Sequence, residues 1–148
     1  MKNKLDQYSI PKDITEHNLA TVYTLNHGPS RNGRLWMPVF DNRFPLEFNV
    51  EFAYLSRFFE KDNASGNHYH RIKKEILIPL EGRFDFYLEC IETGKKEAHA
   101  FSSADHKAVY IRTGISHRIA SRGETGTLLV LASTPSDLED EIRYEVSE

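Results

Sequence analysis

The sequence predicts an all-β sandwich or barrel that ends in a short C-terminal helix. Three observations carry this expectation. Apolar and β-branched residues fall in short runs that alternate in polarity, which is the period of a strand. Turn residues separate these runs at regular spacing, as in sandwiches and barrels. The chain has 148 residues, which at about 100–200 residues per domain reads as a single domain over 1–148.

The expected elements follow in order. Thr21–Leu25 is rich in β-branched and aromatic residues. Phe48–Phe59 places Phe48, Val50, Phe52, Tyr54, Ser56 and Phe58 on one face and Leu55 and Arg57 on the other. Glu60–Asn67 reads as a loop, as does His27–Arg34. Glu75–Leu80 is a buried strand that turns at Glu81-Gly82. Arg83–Ile91 alternates, with Phe84, Phe86, Leu88 and Cys90 on one face, and Glu92-Thr93-Gly94 connects it to Lys95–Phe101. Val109–Arg112, His117–Ala120 and the apolar Thr127–Ala132 complete the strands. Pro135–Tyr144 has helical character, with Asp137 as a candidate cap and Glu139, Asp140 and Glu141 near its positive end. Lys73-Lys74 and Lys95-Lys96-Glu97 read as solvated strand ends. Trp36, Met37, Val39 and Phe40 read as core or dimer-contact residues.

Composition narrows the function classes. With 39% hydrophobic and 28% charged residues, the chain is globular rather than disordered. A net charge of −3 gives no global footprint for nucleic acid. One cysteine, Cys90, cannot form an internal disulfide, which fits a reducing cytoplasm. The segment MKNKLDQYSIPKD lacks the apolar run of a signal peptide, and no stretch approaches the ~20 apolar residues that span a bilayer. The expectation is a cytoplasmic protein without membrane insertion.

The histidines suggest the chemistry. His68 and His70, two apart, share a face if they lie on a strand. Glu75 follows, then Gly82, and much later Gly114 and His117. The series His68-x-His70-(x4)-Glu75-(x6)-Gly82, followed by Gly114-x-x-His117, resembles the two motifs of the cupin family. Asp62 stands where the first motif begins with Gly, and Arg112 stands where the second begins with Pro. The resemblance implies a cupin-type double-stranded β-helix, or jelly roll. It also implies that His68, His70, Glu75 and His117 converge, as a set able to hold a divalent cation such as Zn, Fe, Mn or Ni.

A second resemblance lies in the tail. Leu131-Ala132-Ser133, Asp137, Asp140 and Ile142-Arg143 match, without a gap, the C-terminal pattern of the WxcM-like, FdtA-type sugar-nucleotide 3,4-ketoisomerases. That family's Gly-x-His-Ala-His-Lys is similar to Gly66-Asn67-His68-Tyr69-His70-Arg71. The resemblance runs from about Arg31 to the C-terminus and leaves residues 1–30 as an N-terminal extension. Glu75 stands where the family has Gln, Ser116 where it has Trp, and Arg71 where it has Lys.

The resemblance implies isomerisation of a nucleotide-linked 4-keto-6-deoxy hexose to its 3-keto isomer through an enediol, for surface polysaccharide synthesis and with no required cofactor. His68 or His70 would be the base. Tyr54, or a second His such as His117, would hold the keto oxygen. Arg34 and Arg57 would hold a diphosphate. The expected partners are a nucleotide sugar and a second copy of the chain. Two alternatives stay open: a metal-dependent cupin dioxygenase or isomerase using His68, His70, Glu75 and His117, and a cupin that only binds a small molecule.

Overall fold

The computed structural model describes residues 8–29 and 32–148. Arg31, where the resemblance begins, Ser30 of the loop-like stretch, and the first seven residues lie outside the described residues. Among the described residues no helix is long and apolar enough to cross a membrane.

Two antiparallel sheets face each other. Their strands in chain order are β1 (Asp13–Glu16), β2 (Ala20–Thr24), β3 (Phe52–Phe58), β4 (Ala64–Tyr69), β5 (Glu75–Glu81), β6 (Arg83–Cys90), β7 (Lys96–Ser102), β8 (Lys107–Ile111), β9 (Ile115–Ser121), β10 (Gly126–Ala132) and β11 (Ile142–Arg143). One sheet runs β1-β2-β8-β5-β10-β3 and the other β11-β4-β9-β6-β7. Strands adjacent in space are mostly remote in sequence, as jelly-roll connections require.

The inner core is built from alternate residues of both sheets. Phe84, Phe86 and Leu88 of β6 meet Phe58, Leu77, Leu128 and Val130 from the opposite sheet. The outer face of the six-stranded sheet carries a second core. There the segment around Met37–Val50 lies across Tyr23, Ile76, Ile78 and Tyr110. This explains why β5 reads as an unbroken apolar run: Leu77 faces inward, and its neighbours Ile76 and Ile78 face the covering segment.

Two expectations need correction. Strand β3 starts at Phe52, not Phe48. Phe48 and Val50 pack on the outer core, whereas Tyr54 and Phe58 pack on the inner one, so they do not share a face.

The C-terminal helix does not form. Asp137 does act as a cap, accepting from the Glu139 N–H at 3.0 Å, but only a single 3-10 turn, Leu138–Asp140, follows. Tertiary bonds draw the chain away from helix. The Tyr144 N–H donates to Asn67 O at 2.9 Å, the Ser116 hydroxyl donates to Tyr144 O at 2.6 Å, and β11 adds to the edge of β4. Ser116, fully buried, thus pins the tail.

Two glycines place the site. Gly82, with φ +85°, makes the tight turn from β5 to β6, and a Cβ there would press on the Thr125 carbonyl at 2.6 Å. Gly66, with φ +103°, precedes Asn67 at φ 58°. Together they form a bulge between Gly66 and His68 in the β4–β9 ladder. Bulges re-aim the residues that follow. This one is held by Asn67 Oδ1, which accepts from the Val146 N–H at 3.0 Å.

Candidate active site

Beyond the bulge, His68 pairs directly with His117 on the neighbouring strand. Direct cross-strand partners present their side chains on the same face. His70, two residues on from His68, joins them. The ring centroids of His68 lie 4.8 Å from those of both His70 and His117, and those of His70 and His117 are 5.7 Å apart. Glu75 comes from the first position of β5 in the opposite sheet. Its Oε1 is 3.0 Å from His70 Nε2 and 3.6 Å from His117 Nε2. Tyr54 comes from β3, where it pairs with Val130, and its hydroxyl donates to Glu75 Oε2 at 3.3 Å. His68, His70, Glu75, His117 and Tyr54 therefore meet between the two sheets.

The cavity at this meeting point has a volume of about 140 Å³, and Tyr54, His68, Glu75 and His117 line it. That is below the roughly 300–1,000 Å³ of sites that enclose a whole drug-sized ligand, so it suits the reacting part of a larger molecule. A larger open cleft of about 600 Å³ runs along Thr134–Leu138. Its lining contains the carboxylates Asp137 and Asp140 and no basic side chain, so it does not complement a phosphate.

The electrostatics separate the three histidines. Burial pushes His117 down from 6.5 to about 4, against the pull of Glu75, so it is neutral at neutral pH. Its Nδ1 faces the Ile115 carbonyl at 3.3 Å. Burial, and then the neighbouring His70, also lower His68. The His68 ring is half-buried and makes no hydrogen bond to a described residue.

His70 is anchored differently. Its Nδ1 donates to Asp140 O at 2.9 Å. The carbonyl can only accept, so the proton sits on Nδ1. The Nε2 contact with Glu75 is close but not aligned as a hydrogen bond, and this buried nitrogen lacks a well-directed partner.

Glu75 is held as a carboxylate. Burial would raise it, yet His70, His117 and Lys73 bring it from 4.5 down to about 2. Burial, followed by the Glu75 charge, raises the Tyr54 phenol far above its ordinary value, so it remains an O–H donor.

Lys73 corrects the sequence reading. It is buried, not solvated. Its Nζ lies 3.7 Å from Glu75 Oε2, donates to Ser136 Oγ at 3.3 Å and sits 5.8 Å from the centre of the Tyr54 ring. One signal was available: Lys73 is two residues before Glu75, on the same side of an extended chain. A Gln at position 75 would leave this ammonium without a counter-charge, so Glu75 and Lys73 belong together.

Asp140 was also misread, as an acid near a helix N-terminus. Its carboxylate instead accepts from the backbone N–H groups of Arg71, Ile72 and Lys73 at 2.9, 3.0 and 2.9 Å. Burial would raise its carboxyl, but these three donors hold it below the usual carboxylate range. The tail thereby locks the segment that joins His70 to Glu75.

Arg34 and Arg57 are not brought to the cavity. The alternation that turns Tyr54 and Ser56 inward turns Arg57 outward, where its guanidinium lies 5.8 Å from the Phe59 ring centre. Arg34 is exposed.

The family model described as WxcM-like, C-terminal (FdtA) matches residues 18–146. No curated protein matches the chain. Among solved structures, the chain is similar to QdtA, a sugar 3,4-ketoisomerase from Thermoanaerobacterium thermosaccharolyticum, in complex with TDP. The identity is 21%, the coverage 85% of this chain and 88% of that one, and the TM-score 0.73. A histidine-to-asparagine mutant of QdtA, in complex with TDP-4-keto-6-deoxyglucose, matches at 20% identity, with 86% and 89% coverage and a TM-score of 0.74. The dTDP-6-deoxy-D-glucose-3,5-epimerase RmlC from Legionella pneumophila, in complex with dTDP-4-keto-L-rhamnose, matches at 13% identity, with 92% and 85% coverage and a TM-score of 0.76. At these identities the likeness establishes the fold they share, a jelly roll.

Proposed function

Because the chain belongs to the WxcM-like, C-terminal (FdtA) family, we propose that it isomerises a nucleotide-linked 4-keto-6-deoxy hexose to the 3-keto sugar, with His68 as the acid–base residue. Fold alone does not assign a reaction. The observation that carries this reading is the His68 ring, half-buried, facing the cavity and free of hydrogen bonds to described residues, opposite an undissociated Tyr54. The ligands in complex with the QdtA mutant and with RmlC are 4-keto sugars on a thymidine diphosphate.

The chemistry needs no oxidant. The C4 carbonyl acidifies the C3 proton, and neutral His68 removes it. The electron pair moves into a C3–C4 double bond, and the C4 oxygen becomes an enediolate that an O–H donor can stabilise. Tyr54 suits that role. Its 3.3 Å bond to Glu75 is long beside the usual 2.7–2.8 Å for O–H···O, so the hydroxyl can turn to a new acceptor. His68 then returns the proton to C4 while the C3 hydroxyl passes its proton to the C4 oxygen, which leaves a hydroxyl at C4 and the ketone at C3. Lys73 offsets the Glu75 charge, which would otherwise oppose the enediolate. His70 is a positioning residue, since its Nδ1 is tied to the Asp140 carbonyl, its Nε2 faces Glu75, and its side chain does not line the cavity.

The test is exchange of the C3 proton of TDP-4-keto-6-deoxyglucose in D₂O. His68→Asn should slow it by about 10²–10⁴-fold, the usual cost of a lost general base. His70→Asn should lose less if His70 only positions. Exchange that survives His68→Asn removes His68 from the reaction.

One observation favours a second reading. The ligand atoms of His68, His70 and His117 lie within 4.8 Å of one another, and the unpartnered lone pair of His70 Nε2 is the kind of buried ligand a cation would satisfy. These three, with Glu75, would then hold a divalent metal that polarises a substrate oxygen. Metal analysis of protein purified without added metal, paired with activity after chelation, separates the two readings. Homodimerisation belongs to the same proposal and is supported by Leu55 on the edge strand β3 and Phe59 just beyond its end, 58% and 72% exposed. Light scattering that gives a monomer would oppose it.

A further inference from the structure

A second cluster of metal-ligating side chains stands apart from the cavity. His17 lies in the turn between β1 and β2, on the six-stranded sheet. Glu97 and His99 lie on β7, the edge strand of the other sheet. The i, i+2 spacing turns Glu97 and His99 to one side, and their contact is Nε2 to Oε2 at 2.9 Å. The His17 and His99 rings meet edge to face at 4.5 Å. The ligand atoms of all three lie within 4.8 Å of one another.

We propose that His17, Glu97 and His99 bind a divalent first-row transition cation, Zn²⁺ among them, which ties the β1–β2 turn to the edge of the opposite sheet. Two imidazoles and a carboxylate are a common donor set for such ions, leaving a position for water. At ligand distances of about 2.0–2.1 Å, tetrahedral donors sit roughly 3.3 Å apart. The three side chains therefore need to close by only an ångström or so, and the exposed His17 can make that movement.

Glu97 is not saturated by its present partners. The Leu19 N–H donates to both of its oxygens at 3.4 Å, too long for a strong bond. The backbone of the turn is already braced, because the Arg112 guanidinium donates to His17 O at 3.2 Å and Asn18 O at 2.7 Å. That bracing lowers the entropy lost when an ion binds. None of these residues lines the His68 cavity, so the inference does not depend on the isomerase reading.

The experiment uses the full chain without a polyhistidine tag, stripped of metal, with Co²⁺ as a visible probe and Zn²⁺ as competitor. Wild type and His68→Asn should each give a Co²⁺ absorption band that Zn²⁺ abolishes. They should also melt at a higher temperature with Zn²⁺, since an ion that binds only the folded state stabilises it. His17→Ala changes an exposed residue and should fold normally. It should bind more weakly by at least the about 10–100-fold that even an outer-shell loss costs. His99→Gln should show the same loss and confirms the site from the other sheet. If wild type also binds a second ion at the His68 cluster, His68→Asn removes that one alone. Co²⁺ binding that persists at full strength in His17→Ala and His99→Gln, or its absence from wild type at millimolar Co²⁺, overturns the proposal.

Discussion

Replacing Asp140 by alanine tests how the tail supports the site. The carboxylate accepts from three successive backbone donors, Arg71, Ile72 and Lys73, at 2.9–3.0 Å. A hydrogen bond to a charged group contributes about 1.5–3 kcal/mol. Lys73 is buried, so its N–H has no access to water after the substitution and its bond counts in full. Arg71 and Ile72 are exposed, so water can recover part of theirs, leaving about 0.5–1 kcal/mol each. The sum is about 2.5–5 kcal/mol, a large share of the roughly 5–15 kcal/mol that stabilises a typical domain. Asn at this position keeps one oxygen. It can satisfy Arg71 and Ile72 through that atom, but it turns an NH₂ toward the Lys73 N–H. Asp140→Asn should therefore cost about 1.5–3 kcal/mol. Urea unfolding with an unchanged slope measures both. An Asp140→Ala variant within about 1 kcal/mol of wild type would refute the clamp, because that is less than one buried charge-assisted bond.

Further outcomes follow from the same contacts. Gly66→Ala should unfold the chain or leave it several kcal/mol less stable, since a Cβ at φ +103° meets the His117 carbonyl; a normal melting curve would show that the bulge can relax. Acid should destabilise the protein in two stages. The folded value for His117, about 4, lies below 6.5, so its share is complete above about pH 6.5 and is lost as pH falls toward 4. Glu75, at about 2 against 4.5, contributes above about pH 4.5 and loses that share as pH falls toward 2. A urea midpoint that stays level from pH 7 to pH 4 would contradict the first stage, and His117→Gln should flatten it. Tyr54→Phe should lower kcat for proton exchange by about 10²–10³-fold, as loss of one oxyanion donor does, with the melting temperature nearly unchanged; kinetics indistinguishable from wild type would assign Tyr54 to the core instead.

The sequence made most of the strands legible, because both layers of the sandwich have covered faces. Arg83–Cys90 alternates since one face meets the inner core, and Glu75–Glu81 is uniformly apolar where both faces are covered. Alternation alone puts only His68 and His70 on one face; that Glu75 and His117 join them was legible only through the resemblance to the cupin motifs. What escaped depended on long-range partners. Glu60–Asn67 looked like a loop because Gly66 and Asn67 are turn residues, yet Ala64–Asn67 belong to strand β4, where the Gly66-Asn67 pair forms a bulge. Pro135–Tyr144 looked helical locally, but Asp140 and Ser116 commit the tail to the edge of the five-stranded sheet. Lys73 looked solvated because burial of a lysine depends on a counter-charge, and the matching role of Glu75 emerges only when the strands are assembled. Arg57 was grouped with Tyr54 despite its opposite parity, a mismatch that alternation alone could have exposed.

Proton NMR of wild-type protein with TDP-4-keto-6-deoxyglucose in D₂O tests the central claim most directly. The ketone should appear at C3, with deuterium at C4 of that product and at C3 of the recovered 4-keto sugar, while C5 keeps its proton. Deuterium at C3 and C5 with the ketone retained at C4 would make the protein an epimerase, and no exchange at any ring carbon would contradict the account altogether.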